Sequence, residues 1–255
     1  MTDPRPIGLI TAIPEELADL AASLDETDAR SIAGLTFRSG NLEGRSVVLV
    51  ESGIGKVNAA LVATLLLHEF GCRALVFSGV AGGLDPDLAV GDVVIATRLI
   101  QHDYGALVEG RIRPYQPGVP PLPGVPEDHG YDVPESLVAA IRTAVDDAEL
   151  PPLSAAATGA GQRRPHIAYG PVLTGDTFLN CTETRDQLAT RFAGLAVEME
   201  GAAIAQVAER FAAPVVVIRA LSDLAGKESH MDFAAFLSEA AAVASFIVRR
   251  VITVV

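Results

Sequence analysis

Residues 195–223 read LAVEMEGAAIAQVAERFAAPVVVIRALSD, and this stretch decides the fold class. Leu195 to Met199 is a short apolar run suited to a strand. Gly201 to Phe211 has the alanine content of a helix, and Val215 to Leu221 is apolar enough for a buried central strand. The same alternation extends outward in both directions. Ile7 to Ile13 reads as a strand, and Pro14 stands where a first helical turn begins. Leu35 to Ser39 and Ser46 to Glu51 read as paired strands, Lys56 to Phe70 as a helix stopped by Gly71, and Ala74 to Ser78 and Val93 to Thr97 as strands separated by a glycine-rich turn at 79–83. Further on, Ile167 to Leu173 is a strand, Thr182 to Phe192 a helix, and Asp232 to Val251 a long final helix. Alternating strands and helices imply an α/β layer fold whose ligands gather at strand ends.

From about 101 to 166 the periodicity weakens. This segment holds a Pro/Gly-rich piece from Arg113 to Pro126, one helix near Glu135 to Asp147, and a small-residue patch from Ser154 to Gly161. It lacks the contiguous apolar sequence needed for an interior of its own, so the expectation is a single domain over 1–255 with an irregular excursion at about 101–166.

Of the 255 residues, 49% are hydrophobic and 20% charged, the balance of a globular chain with a generous interior. A formal net charge of -13 repels a polyphosphate backbone or an anionic membrane, so neither nucleic acid nor membrane is expected as a partner. Cys72 and Cys181 stand in no metal-ligand or redox spacing, and no apolar run is long enough to span a bilayer. These features predict a soluble cytoplasmic protein with no metal and no cofactor.

Four segments place polar or glycine residues directly after an apolar strand: AIPEE at 12–16, GVAGG at 79–83, VEMEG at 197–201 and ALSD at 220–223. Each carboxylate has a plain structural role to set beside a chemical one. Glu15 and Glu16 suit the first turn of a helix, Glu198 and Glu200 a solvated strand end, and Asp223 a turn cap. Asp223 also ends a strand apolar enough to desolvate it. The Gly53-Ile54-Gly55-Lys56 turn is able to bind an anion but is by itself a common connection, and His102-Asp103 reads as a local hydrogen-bonded pair without further metal ligands.

Together the blocks IGLITAIPEELADL, ESGIGKVNAALVATLLL, FSGVAGGLDPDLAVGDVVIA, LTGDTFLN, AVEMEGAAIAQVA and VIRALSDLAGKESHMDF resemble the nucleoside phosphorylase and nucleosidase family, specifically the 5′-methylthioadenosine/S-adenosylhomocysteine nucleosidases. VEMEGAA with a downstream RALSD is the specific part; the glycine turns alone are not. The resemblance implies an α/β domain with a central mixed, partly closed sheet flanked by helices, assembled as a homodimer. It implies an adenine nucleoside substrate whose N-glycosidic bond is hydrolysed. By position it makes Glu16 the base that activates water, Glu200 the group that holds the ribose hydroxyls, and Asp223, beside Ser222, the acid serving adenine N7. Phe178 becomes the ring stacked on the purine and Leu179 a backbone contact to the base. Ile54, Met199 and Phe233 become walls of the pocket, with Val80, Ala81, Gly82 and Glu198 also lining it.

Breaking the bond from C1′ to N9 builds positive charge on the sugar and negative charge on adenine, which preorganised groups of these types offset. An acid at Asp223 has to keep its proton near neutral pH, as desolvation favours. Two departures from the family stand out: a longer excursion, and Val80 where many relatives carry a serine whose hydroxyl helps orient the base.

Three alternatives follow from the same residues. A phosphorylase of this family places Arg before the glycine turn and a hydroxyl within it, where this chain has Phe77 and Val80, so hydrolysis is favoured. Hydrolysis of 6-amino-6-deoxyfutalosine needs the same three carboxylates. A non-catalytic nucleoside-binding protein on this fold would be expected to have lost one of them.

Overall fold

The computed structural model describes residues 3–119, 129–158, 162–226 and 229–255, apart from the side chains of residues 156, 158, 229–236 and 238. In chain order the elements are β1 (Ile7–Thr11), α1 (Pro14–Ser23), β2 (Asp25–Ile32), β3 (Leu35–Leu42), β4 (Arg45–Glu51), α2 (Lys56–His68), β5 (Ala74–Gly83), β6 (Val93–Gln101), β7 (Gly105–Val108), β8 (Arg111–Pro114), β9 (Tyr131–Asp132), α3 (Glu135–Val145), α4 (Ala155–Thr158), β10 (Ile167–Thr174), α5 (Thr182–Phe192), β11 (Ala196–Glu198), α6 (Gly201–Arg210), β12 (Val215–Asp223) and α7 (Ser229–Val251).

The main sheet runs β11-β10-β6-β12-β5-β1-β4-β3-β2, with β9 added to β6. It also closes on itself. β1 occupies one edge of β5 only as far as Phe77, and β11 takes that edge further on, pairing antiparallel with Gly82 and Gly83. Five strands therefore form a ring, β5-β12-β6-β10-β11, from which β1, β4, β3 and β2 extend. Pairing is parallel along β4-β1-β5-β12 and antiparallel between β12 and β6, so the sheet is mixed and partly closed.

The central strands are buried on both faces, and the two-residue repeat of a strand sorts their side chains between two layers. Val47 and Leu49 of β4, Val76 of β5 and Val216 and Ile218 of β12 face α1, α3 and α7. Their neighbours Val48, Val50, Leu75, Phe77 and Val217 face α2 and α6 instead. Each such side chain contributes about 1.5–3 kcal/mol by leaving water. Ala59 and Ala63 of α2 and Ala202, Ala205 and Ala208 of α6 are small enough for the two helices to lie close together.

The glycine segment at 79–83 was expected to be a turn, and here the structure corrects the reading: β5 continues through Gly83. Two neighbouring strands hold it extended, since β12 pairs along it as far as Gly82 and β11 closes the other edge. Within the excursion, β7 and β8 form a hairpin and β9 joins the main sheet. α3 sends Ile141 and Val145 into the layer shared with α7. Part of the Arg113 to Pro126 piece, at 120–128, and part of the Ser154 to Gly161 patch, at 159–161, lie outside the described residues. Among the described residues no helix is long and apolar enough to cross a membrane.

Candidate active site

Six chain segments meet around one cavity that opens to solvent. They are the β1–α1 junction, the loop after β4, the glycine part of β5, the loop after β10, the end of β11 and the end of β12. Every site residue expected from sequence lines this cavity except Phe233, whose side chain lies outside the described residues. Glu16, Glu200 and Asp223 thus share one space although far apart in the chain, and none is more than 4% exposed.

Local structure explains how each carboxylate is held. Pro14 opens α1, and Glu16 sits at the third helical position. From there its Oε2 accepts the N–H groups of Ala12 at 2.8 Å and Ile13 at 3.3 Å, half of a capping box. Its Oε1 accepts the N–H of Val80 at 2.9 Å. The main chain of Val80 therefore supplies the hydrogen bond to Glu16 that its side chain cannot. Gly79 has to be glycine beside them, because a Cβ there would stand 2.5 Å from Glu16 Oε1.

Glu200 is the N-cap residue of α6, and its Oε1 accepts the Gly55 N–H at 2.7 Å. Gly55 has φ +99°, a conformation natural only to glycine, and this aims its N–H across the cavity. Asp223 accepts the Ala225 N–H through Oδ1 at 2.7 Å and the Ser222 hydroxyl through Oδ2 at 3.1 Å. The turn-capping role weighed from sequence is present, and the same carboxyl group still faces the cavity.

Reading the sequence alone overlooked Arg219. It lies inside β12, 1% exposed, with its guanidinium carbon 3.7 Å from the centre of the Phe77 ring. Its Nη2 pairs with Glu198 Oε2 and stands 3.5 Å from Glu200 Oε2. One signal was available: it is the one charged residue between Val215 and Leu221. Glu198 lines the cavity, but its oxygens are occupied by Arg219, the Thr174 hydroxyl and the N–H groups of Glu200 and Gly201. It caps α6 and anchors Arg219.

One guanidinium among three buried carboxylates does not neutralise them. Burial holds the Glu16 carboxyl above the usual range, against the pull of Arg219 and of the main-chain N–H groups. Burial and the neighbouring Glu198 charge push Glu200 up to about 7, opposed by Arg219 and the Gly55 N–H.

The chain resembles known proteins over nearly its whole length. The family model described as the Phosphorylase superfamily matches residues 6–253. The chain is 48% identical over 248 residues to the 5′-methylthioadenosine/S-adenosylhomocysteine nucleosidase of Mycobacterium bovis, covering 97% of each. Its fold superposes with a TM-score of 0.81 on the 5′-methylthioadenosine/S-adenosylhomocysteine nucleosidase of S. pneumoniae, solved with the transition-state inhibitor MT-ImmA, at 34% identity over 98% of this chain and 99% of that one. It also superposes on the futalosine hydrolase of Helicobacter pylori strain 26695, with a TM-score of 0.80 and 28% identity over 98% of each chain. The buried carboxylates and the closed strand ring thus sit in a chain that belongs to the phosphorylase superfamily, within its family of 5′-methylthioadenosine/S-adenosylhomocysteine nucleosidases.

Proposed function

We propose that this protein hydrolyses the N-glycosidic bond of 5′-methylthioadenosine and S-adenosylhomocysteine, releasing adenine. The observation that carries the reading is the convergence of Glu16, Glu200 and Asp223 on one cavity, each held by hydrogen bonds before any substrate arrives. In this reading adenine lies against Phe178, and Asp223 gives a proton to N7 as the bond to C1′ lengthens. Glu200 accepts from the ribose hydroxyls and sets the sugar's orientation. Glu16 takes a proton from a water that attacks C1′. The two carboxylates act as acid and base on opposite sides of an oxocarbenium-like sugar, in the manner of glycosidases.

Water rather than phosphate is the nucleophile, because among the described residues none that lines the cavity is Lys or Arg while three are Glu and one Asp. A phosphate dianion placed there would be repelled. Purified protein incubated with methylthioadenosine in phosphate-free buffer is expected to yield free adenine and methylthioribose on chromatography, at a rate unchanged by added phosphate. Strict phosphate dependence would reverse the choice of nucleophile.

A homodimer completes the proposal. Val57, 81% exposed, and Leu61 lie one turn apart on α2 and present an apolar stripe to solvent, the kind of surface a second copy of the chain would cover. Light scattering at micromolar protein is expected to give twice the chain mass. A monomer mass at all concentrations would contradict this.

A further inference from the structure

Two motifs that carried no function when read singly, the Gly53-Ile54-Gly55-Lys56 turn and the His102-Asp103 pair, meet in space. Lys56 Nζ stands 2.7 Å from Asp103 Oδ1 and 3.7 Å from Asp176 Oδ2. The other Asp103 oxygen, Oδ2, accepts the Asp176 N–H at 2.8 Å, and Asp176 Oδ1 accepts the Lys56 N–H at 2.9 Å. Each residue thus holds the next, in a closed cycle joining the start of α2, the end of β6 and the loop after β10.

That cycle sits directly behind the cavity. The N–H of Gly55 binds Glu200 Oε1, and the next N–H along the chain, that of Lys56, binds Asp176. On the other side, Thr177, Phe178 and Leu179 follow Asp176 and line the cavity. Rotation of the Gly55–Lys56 peptides would carry the Gly55 N–H away from Glu200, and glycines at 53 and 55 leave that turn little intrinsic stiffness. The Lys56 and Asp103 side chains are 17% and 22% exposed, so their attraction is less screened than that of a surface pair.

We propose that Lys56, Asp103 and Asp176 form a positioning clamp, which fixes the Gly55 N–H on Glu200 and holds the 177–179 segment in register with it, so that the ribose grip and the purine platform are set by one device. None of the three lines the catalytic cavity, so they act through Glu200 and through the chain. The proposal rests on the nucleosidase reading, in which Glu200 receives the ribose hydroxyls.

The test uses the full-length protein with methylthioadenosine and its 3′-deoxy analogue. Asp103→Asn is expected to lower kcat/KM for methylthioadenosine about 10- to 100-fold, the scale of a small misplacement of a reacting group. It is also expected to shrink the preference over the 3′-deoxy analogue, because a displaced Glu200 gains less from that hydroxyl. In a Glu200→Gln background the same substitution is expected to add less than its full effect, as for residues acting as a unit. Lys56→Met breaks the cycle from its other side and is expected to give the same pattern, carrying the test by itself if Asp103→Asn does not fold. A uniform loss on both nucleosides, or full additivity with Glu200→Gln, is the mark of a merely structural role and overturns the clamp while leaving the nucleosidase intact. If the unaltered protein releases no adenine from methylthioadenosine, the nucleosidase reading and the clamp fall together.

Discussion

Replacement of Asp223 by Asn is expected to lower kcat for adenine release by about 10²- to 10⁴-fold, the usual range for a positioned general acid. Binding of a non-hydrolysable nucleoside analogue should stay within a few-fold of that of the unaltered protein. The two readouts separate because of how the side chain is held. Asn keeps the size of Asp and an oxygen that can accept the Ala225 N–H, so the end of β12 retains its capping bond. What it cannot do is deliver a proton to N7 as negative charge develops on adenine. The leaving group then departs as an anion, and the barrier rises although the ground-state contacts remain. Calorimetric titration with the analogue and chromatographic assay of adenine test both halves. Turnover at the normal rate would remove Asp223 from the acid's role. Loss of analogue binding in step with rate would show a change of shape in place of a change of chemistry.

Asp223 was legible in sequence because the strand before it is apolar and the polar residues begin abruptly at Ser222. Strands β1 and β12 and helices α2 and α6 were legible for the same kind of reason: burial imposes an apolar pattern on the residues that experience it. β2 was not legible. Asp25–Ile32 has no buried residue, so no apolar alternation marks it, and only pairing with β3 makes it a strand. The glycine segment was misread because glycine signals a turn unless neighbouring strands hold it straight, and those neighbours, β11 and β12, lie more than a hundred residues away. Arg219 was hidden by the apolar strand around it. A lone charge in such a strand marks a buried partner without naming it, and that partner, Glu198, comes from another strand. The site was thus readable where chemistry sits at the end of a periodic element, and unreadable where one long-range contact supports another.

Replacement of Glu16 by Gln is expected to remove the base and lower kcat by about 10²- to 10⁴-fold, again with the analogue still bound. Both oxygens of Glu16 act only as acceptors, from Ala12 and Ile13 on one side and Val80 on the other. Gln offers one oxygen and one NH₂ group, so at least one of these main-chain donors will face another donor. The amide will turn from its place. The hydrolytic water then loses both its proton acceptor and its geometric guide. The pH dependence of the unaltered protein supplies the independent check. Glu200, pushed up to about 7 by burial and by Glu198, with Arg219 and the Gly55 N–H opposing and Glu16 facing it as well, has to be ionised to accept from both ribose hydroxyls. Below that pH it takes up a proton, so kcat/KM should fall with acidity by about tenfold per pH unit. The raised Glu16 carboxyl adds to the fall in the same direction, since a protonated base cannot accept from water. In Glu16→Gln the residual activity should keep only the limb due to Glu200, near pH 7. A profile of the unaltered protein that stays flat from pH 7 down to pH 5 would mean that neither buried carboxylate has to be charged for the reaction, and the division of labour among the three acids would have to be redrawn.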